Sequence, residues 1–197
     1  MNKVMLRNVR LSYCNVFTKG KFNGIDNKKY DCVMLLPKID VETKEKIRQM
    51  CVKELISHYG NKDKIPKQFK PWVDKEKFGD SERTFFRDGD AKDDDASIGM
   101  WTIKAANALV PSTYALDKSP TGEDDGLIYS GAYADVSISV WIQDNNDFGK
   151  RINGNLLGLR FRSHGEPLGG GGSRASEDDF DDLDDVEVAG DYDHEDF

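Results

Sequence analysis

Apolar and basic positions take turns along residues 3–13 (KVMLRNVRLSY), while residues 29–37 (KYDCVMLLP) form a continuous apolar run stopped by Pro37. Both patterns predict strands that are at least partly buried. Between them, NVFTKGKFNGIDNK is rich in Gly, Asn and Lys, which predicts a long hairpin loop displaying Phe17 and Phe22 among Lys19, Lys21 and Lys28. One segment has helical period: Ile47, Met50, Cys51, Leu55 and Tyr59 recur on one stripe. This predicts a helix from about Val41 to Tyr59, with Asp40 as N-cap, Gly60 as the stop, and a core-facing stripe.

Residues 61–95 are polar and carry prolines, with one short extended candidate at RTFFRDG. IGMWTIKAANALVP (98–111) predicts a strand ending near Pro111, and SPTGEDDG an acidic surface turn. In YSGAYADVSISVWIQ (129–143), strict alternation separates two faces. Ala132, Ala134, Val136, Ile138, Val140 and Ile142 form the core face, whereas Tyr129, Gly131, Tyr133, Asp135, Ser137, Ser139 and Trp141 form the other. GNLLGLRFRSHG (154–165) places Leu157, Leu159 and Phe161 on one side and Gly158, Arg160 and Arg162 on the other. Pairing these two strands as a hairpin would put rings and guanidinium groups on one outer face. The chain reads as mainly β with one long helix.

Charge divides the chain. Residues 1–174 hold all 28 Lys and Arg against 24 acidic residues, a net +4, and residues 175–197 hold twelve carboxylates and no Lys or Arg, which restores the total of −8. The last segment, ASEDDFDDLDDVEVAGDYDHEDF, offers too little apolar surface to offset the entropy of ordering, so a solvated, disordered tail is expected. GGGG at Gly169–Gly172 reads as its tether. The organisation expected is one domain over 1–168, a linker over 169–174 and a tail over 175–197. A mildly basic body joined to a polyanion points to a body that meets polyanions and a tail that competes for that surface or recruits a basic partner. A tail serving only solubility is the plainer reading, but it does not call for Phe197 beside Asp191, Asp193, Glu195 and Asp196.

Other chemistry finds little support. Cys14, Cys32 and Cys51 are odd in number and far apart, so reduced thiols are expected, and His58, His164 and His194 are scattered. No metal or cofactor is expected. DGDAKDDD (88–95) concentrates carboxylates without the order of an EF-hand loop and reads as a solvated loop. No P-loop, G-x-S-x-G elbow or dinucleotide fingerprint occurs, so the chain does not read as an enzyme. Charges interrupt the N-terminal MNKVMLRNVRLSY, which reads as neither signal nor anchor, and a cytoplasmic location is expected.

Single-stranded nucleic acid is held by rings that stack on bases and cations that track phosphates, and every base has a stackable face. Tyr129, Tyr133, Trp141 and Trp101 are the stacking candidates, with Phe17 and Phe22 as extra rings. Arg7, Lys19, Lys21, Lys28, Lys29, Lys104, Arg160 and Arg162 are the phosphate candidates. The competing explanation is that such rings pack beneath the helix or in a homodimer contact.

GMWTIKAANALVP, YSGAYADVSISVWIQ, the segment FGKRINGNLLGLRFRSHGEPLGGG and the acidic tail ending in Phe197 together resemble the single-stranded-DNA-binding proteins of tailed bacteriophages. That resemblance implies an OB-fold, a five-stranded Greek-key barrel, elaborated here by the helix after the second strand and the 61–95 insertion. It also implies binding of single-stranded DNA with little sequence preference during phage replication, recombination and repair. The tail is similar in design to that of bacterial single-strand-binding proteins, which implies recruitment of replication proteins such as a polymerase or helicase. Two other readings are a protein-interaction module that mimics DNA with its tail, and a metal-dependent nuclease using the carboxylates of 88–95.

Overall fold

The computed structural model describes residues 2–22, 25–26, 28–91, 94–145 and 149–168, with the backbone alone at 21, 22, 25 and 26. The predicted tail and its linker lie outside the described residues.

The first strand, β1 (Lys3–Asn15), serves two neighbours because it bends twice. Its register shifts between Leu6 and Val9 and again between Ser12 and Asn15, and Asn8 (φ 50°) and Tyr13 (φ 46°) take left-handed backbone at these bulges. The loop after it carries a two-residue ladder, β2 (Lys21–Phe22) with β3 (Ile25–Asp26). Strand β4 (Tyr30–Pro37) pairs on both edges, with β1 on one side and a later strand on the other. Its apolar run is buried on both faces: Cys32, Met34 and Leu36 enter the main core, and Val33 and Leu35 are also buried opposite.

Helix α1 (Val41–Tyr59) begins where the Asp40 carboxylate accepts the Thr43 N–H at 2.9 Å, and it ends at Gly60, whose φ of 85° suits a residue without Cβ. Ile47, Met50, Cys51 and Leu55 bury its apolar stripe, as the spacing predicted. Segment 61–85 is not merely a polar connection. Ile65, Phe69, Phe78 and Phe85 are buried, as is Phe86 in the short strand β5 (Phe86–Asp88). Phe78 stacks on Phe86 at 4.5 Å, and Phe86 on Trp101 at 5.2 Å. Four apolar rings spaced irregularly among charges give no periodic signal, which is why the sequence pattern hides their role.

Strands β6 (Met100–Asn107), β7 (Ser112–Tyr114), β8 (Tyr133–Asn145) and β9 (Gly149–Ser163) complete the sheet in the order β5-β6-β4-β1-β8-β9-β7. A further parallel pairing of β6 with β9, at Ala105 and Gly154, returns the circuit β6-β4-β1-β8-β9 to its starting strand. Residues 83–85 widen that narrow junction: Phe85 N donates to Ile152 O and Ile152 N to Arg83 O, both at 3.0 Å, while Lys104 N donates to Phe85 O at 2.8 Å. A Cβ on Gly154 would meet Lys104 O and the Phe85 ring at 2.8 Å, so close approach requires glycine there.

The β8 core face follows the predicted alternation, with Ala134, Val136, Ile138, Val140 and Ile142 all buried. In β9 the alternation slips. The register shifts between Ser137 and Ile138, so Leu156 rather than Leu157 enters the core, and Leu159 resumes the inward face. A bulge flips every side chain on one side of it, and an unbroken period of two cannot anticipate it.

Candidate nucleic-acid interface

Five separate stretches of chain build a cleft of about 270 Å³. The ends of β8 and β9 supply Trp141, Arg151 and Asn153, the outward face of β6 supplies Lys104, and the start of β4 is preceded by Lys29. The 61–95 segment supplies Arg83 and Arg87. Trp141 is 40% exposed, and the Lys29 ammonium lies 5.9 Å from its ring centroid. Five cations therefore line the cleft beside one exposed indole, and Glu82 is the sole carboxylate lining it among the described residues.

The cations differ in how firmly they are held. Arg87 donates from Nε to Thr84 O at 3.0 Å and from an Nη to Glu82 O at 2.7 Å, so backbone carbonyls fix its guanidinium without neutralising it. Lys104 reaches Asp31 at 3.4 Å from a largely exposed position, a pair that solvent screens. An aromatic plane beside fixed and mobile cations is the combination that accepts a base on one side and its phosphates on the other.

Sequence reasoning placed Trp141, Lys29 and Lys104 among its candidates, and the fold brings these three together. It missed Arg83, Arg87 and Arg151, because the parallel Thr84–Ile152 bridge that carries them to the cleft is non-local and has no sequence signature.

The other described candidates do not line this cleft. Arg7 and Arg160 line a second hollow on the outer face of β1, β7, β8 and β9, which shares no lining residue with the first. Arg160 is committed to Asp135, at 2.5 Å, and Arg162 lies 3.8 Å from the same carboxylate. Burial alone would raise the Asp135 pKa, but the Arg160 bond, the Asn8 N–H and the two guanidinium charges outweigh it and hold the group below its ordinary value. Tyr133 is half-buried and pairs across the sheet with Arg10 and Ser163. Tyr129 is pinned by its hydroxyl, which donates to Gly165 O at 2.9 Å, and its ring stacks on His164.

Trp101 faces the helix side. Its ring lies on Phe86 with the Lys44 ammonium 3.9 Å from its centroid, and its Nε1 is buried with no hydrogen-bond partner among the described residues. Trp101 is therefore a ring packed against the helix side rather than a free stacking platform. Phe17 packs against the core, Lys19 lies 5.6 Å from the Tyr30 ring, and Lys28 is exposed. Lys21 and Phe22 are described in backbone only, and Asp191, Asp193, Glu195, Asp196 and Phe197 lie outside the described residues.

Comparison with known proteins agrees with this architecture. The family model of the single-stranded-DNA-binding protein of Enterobacter phage Enc34 matches residues 2–192. Protein p50 of Acyrthosiphon pisum secondary endosymbiont phage 1 is 32% identical over 181 residues, covering 92% of this chain and 94% of p50. The solved Enc34 protein in complex with single-stranded DNA is similar at a TM-score of 0.68 and 26% identity, over 85% of this chain and 89% of that one. Gp2.5, a single-stranded-DNA-binding protein encoded by bacteriophage T7, shares the fold at a TM-score of 0.51 and 14% identity, over 98% of this chain and all of gp2.5. Among the described residues, no helix is long and apolar enough to cross a membrane.

Proposed function

The chain belongs to the family of the Enc34 phage single-stranded-DNA-binding protein, and from that membership we propose that it binds single-stranded DNA at the Trp141 cleft without catalysing a reaction. The observation that carries the proposal is the exposed Trp141 ring flanked by Lys29, Arg83, Arg87, Lys104 and Arg151. A base stacks on the indole, contributing roughly 1 to 3 kcal/mol, and the cations hold the adjoining phosphates. Stacking needs only a π-face, so binding has little sequence preference. Duplex DNA hides its base faces and loses this contribution.

The strand circuit β1-β4-β6-β9-β8 supports reading the sheet as an OB-type barrel, in which the second and third strands and the loops after the first and fourth carry the ligand. Lys29 ends the first of those loops, Lys104 is on the third strand, and Trp141 and Arg151 flank the other loop. Residues 83–87 add a wall that the simplest barrel lacks. The protein coats DNA exposed during phage replication, recombination and repair in the host cytoplasm. Residues 175–197, with twelve carboxylates, compete with DNA for the basic surface and offer Phe197 and its acidic neighbours to replication proteins when displaced.

A labelled mixed-sequence oligonucleotide, followed by anisotropy, tests the reading. Binding that Trp141→Ala weakens, and that a duplex of equal length does not reproduce, supports it. Intact binding of neither nucleic acid would move the function to a protein-interaction module.

A further inference from the structure

The larger hollow, about 780 Å³, has a different character from the Trp141 cleft. A row of small residues crosses the sheet beside Met5, namely Ser137, Gly158 and Ser112, so the surface dips where bulkier side chains would fill it. The β9 bulge turns Leu157 toward this dip, and with Met5 and Tyr114 it makes apolar walls. Met5 is 48% and Tyr114 39% exposed, a cost in water that a covering ligand would remove.

The charge around these walls is positive. Arg7 and Lys118 line the hollow, and among the described residues neither has an acidic partner within 4 Å. Lys118 stands on left-handed backbone at φ 73°, and Arg7 precedes the β1 bulge at Asn8 (φ 50°). Asp135, the one carboxylate lining the hollow among the described residues, is already engaged by the Asn8 N–H and Arg160. Apolar walls with two unanswered cations fit an acidic peptide that carries an aromatic plug.

We propose that Asp191–Phe197 (DYDHEDF) of the same chain docks in this hollow, the Phe197 ring between Met5, Tyr114 and Leu157 and the neighbouring carboxylates toward Arg7 and Lys118. Reach is ample. The described chain ends at Leu168, whose N–H donates to Ser130 O, and the hollow begins about 20 Å further along β8. The 29 residues beyond Leu168 span up to about 100 Å. The proposal rests on the reading that the tail competes with DNA, and it adds how: the tip anchors away from the Trp141 cleft. The eight carboxylates of 177–187, tethered at both ends, are then what competes for the cations of that cleft.

The test uses the full chain carrying Phe197→p-benzoylphenylalanine, irradiated at low protein concentration, with cross-links mapped by mass spectrometry. The expected product is an intramolecular link to Met5, Tyr114 or Leu157, reduced about tenfold by the exposed charge reversals Arg7→Glu and Lys118→Glu together and unchanged by Trp141→Ala. Links to residues 83–87 or 151, links between two chains, or no link at all would overturn it. An oligonucleotide titration of the same sample keeps the two readings separate. Binding without the expected link refutes the docking alone, whereas absence of binding refutes the function irrespective of the link.

Discussion

Arg160 donates to Asp135 at 2.5 Å across the β8–β9 pair, from a guanidinium that sequence alone offers as a free phosphate contact. Asp135 is 3% exposed and accepts the Asn8 N–H as well, so the pair ties the β1 bulge to the hairpin. Asp135→Asn should therefore destabilise the fold by about 2 kcal/mol, the scale of a lost charge-assisted bond. The depressed native pKa fixes the sign of the pH dependence. The stabilisation is fully present above the unfolded carboxylate value near 3.9 and is lost as pH falls through the lower native value. Urea unfolding at several pH values should show wild type and variant converging at the acid end.

With Arg160 neutralised within the fold, the proposed cleft assigns the phosphates to Lys29, Arg83, Arg87, Lys104 and Arg151. Arg87→Ala, Arg151→Ala and Lys104→Ala should each lower the magnitude of the log–log salt slope for oligonucleotide binding by about 0.7, while Arg160→Ala should leave it unchanged. Titrations at four salt concentrations measure this. An unchanged slope for all three cleft variants would place the phosphates elsewhere.

Trp141→Ala should weaken oligonucleotide binding by about 1 to 3 kcal/mol with native stability retained, because the ring stands on the surface. Trp101→Ala should do the reverse. It empties a ring site stacked on Phe86, and should cost roughly 3 kcal/mol of stability while leaving affinity of the folded protein intact. Thermal melts and anisotropy on both variants separate the two effects.

The thiols should differ in reactivity. Burial pushes the Cys51 thiol far up, and the neighbouring Cys14 thiol together with burial raises Cys32, so neither forms thiolate at neutral pH. Native protein treated with iodoacetamide should label at half-exposed Cys14 alone, with Cys32 and Cys51 labelled only after unfolding, as read by peptide mass mapping.

The elements with local causes were legible in the sequence. Asp40, the 47-50-51-55 stripe and Gly60 define α1, and alternation identifies the inward residues of β8, because both depend on neighbours along the chain. Leu157 was misplaced because a bulge depends on the partner strand. The candidate rings split for a similar reason: eight residues along one face of a strand span about 27 Å, so Tyr133 and Trp141 share a side of β8 without sharing a site. Arg83 and Arg87 stayed hidden because their place is set by a bridge to Ile152, some seventy residues later.

Fluorine NMR of the chain labelled with 5-fluorotryptophan reads out whether the Trp141 ring receives a base. Single replacements of Trp72, Trp101 and Trp141 assign the three resonances. Adding a mixed-sequence single-stranded oligonucleotide should shift the Trp141 resonance strongly and leave Trp72 and Trp101 in place, with no such shift from a duplex of equal length. A bound complex in which the Trp141 resonance stays put would move the interface off the cleft.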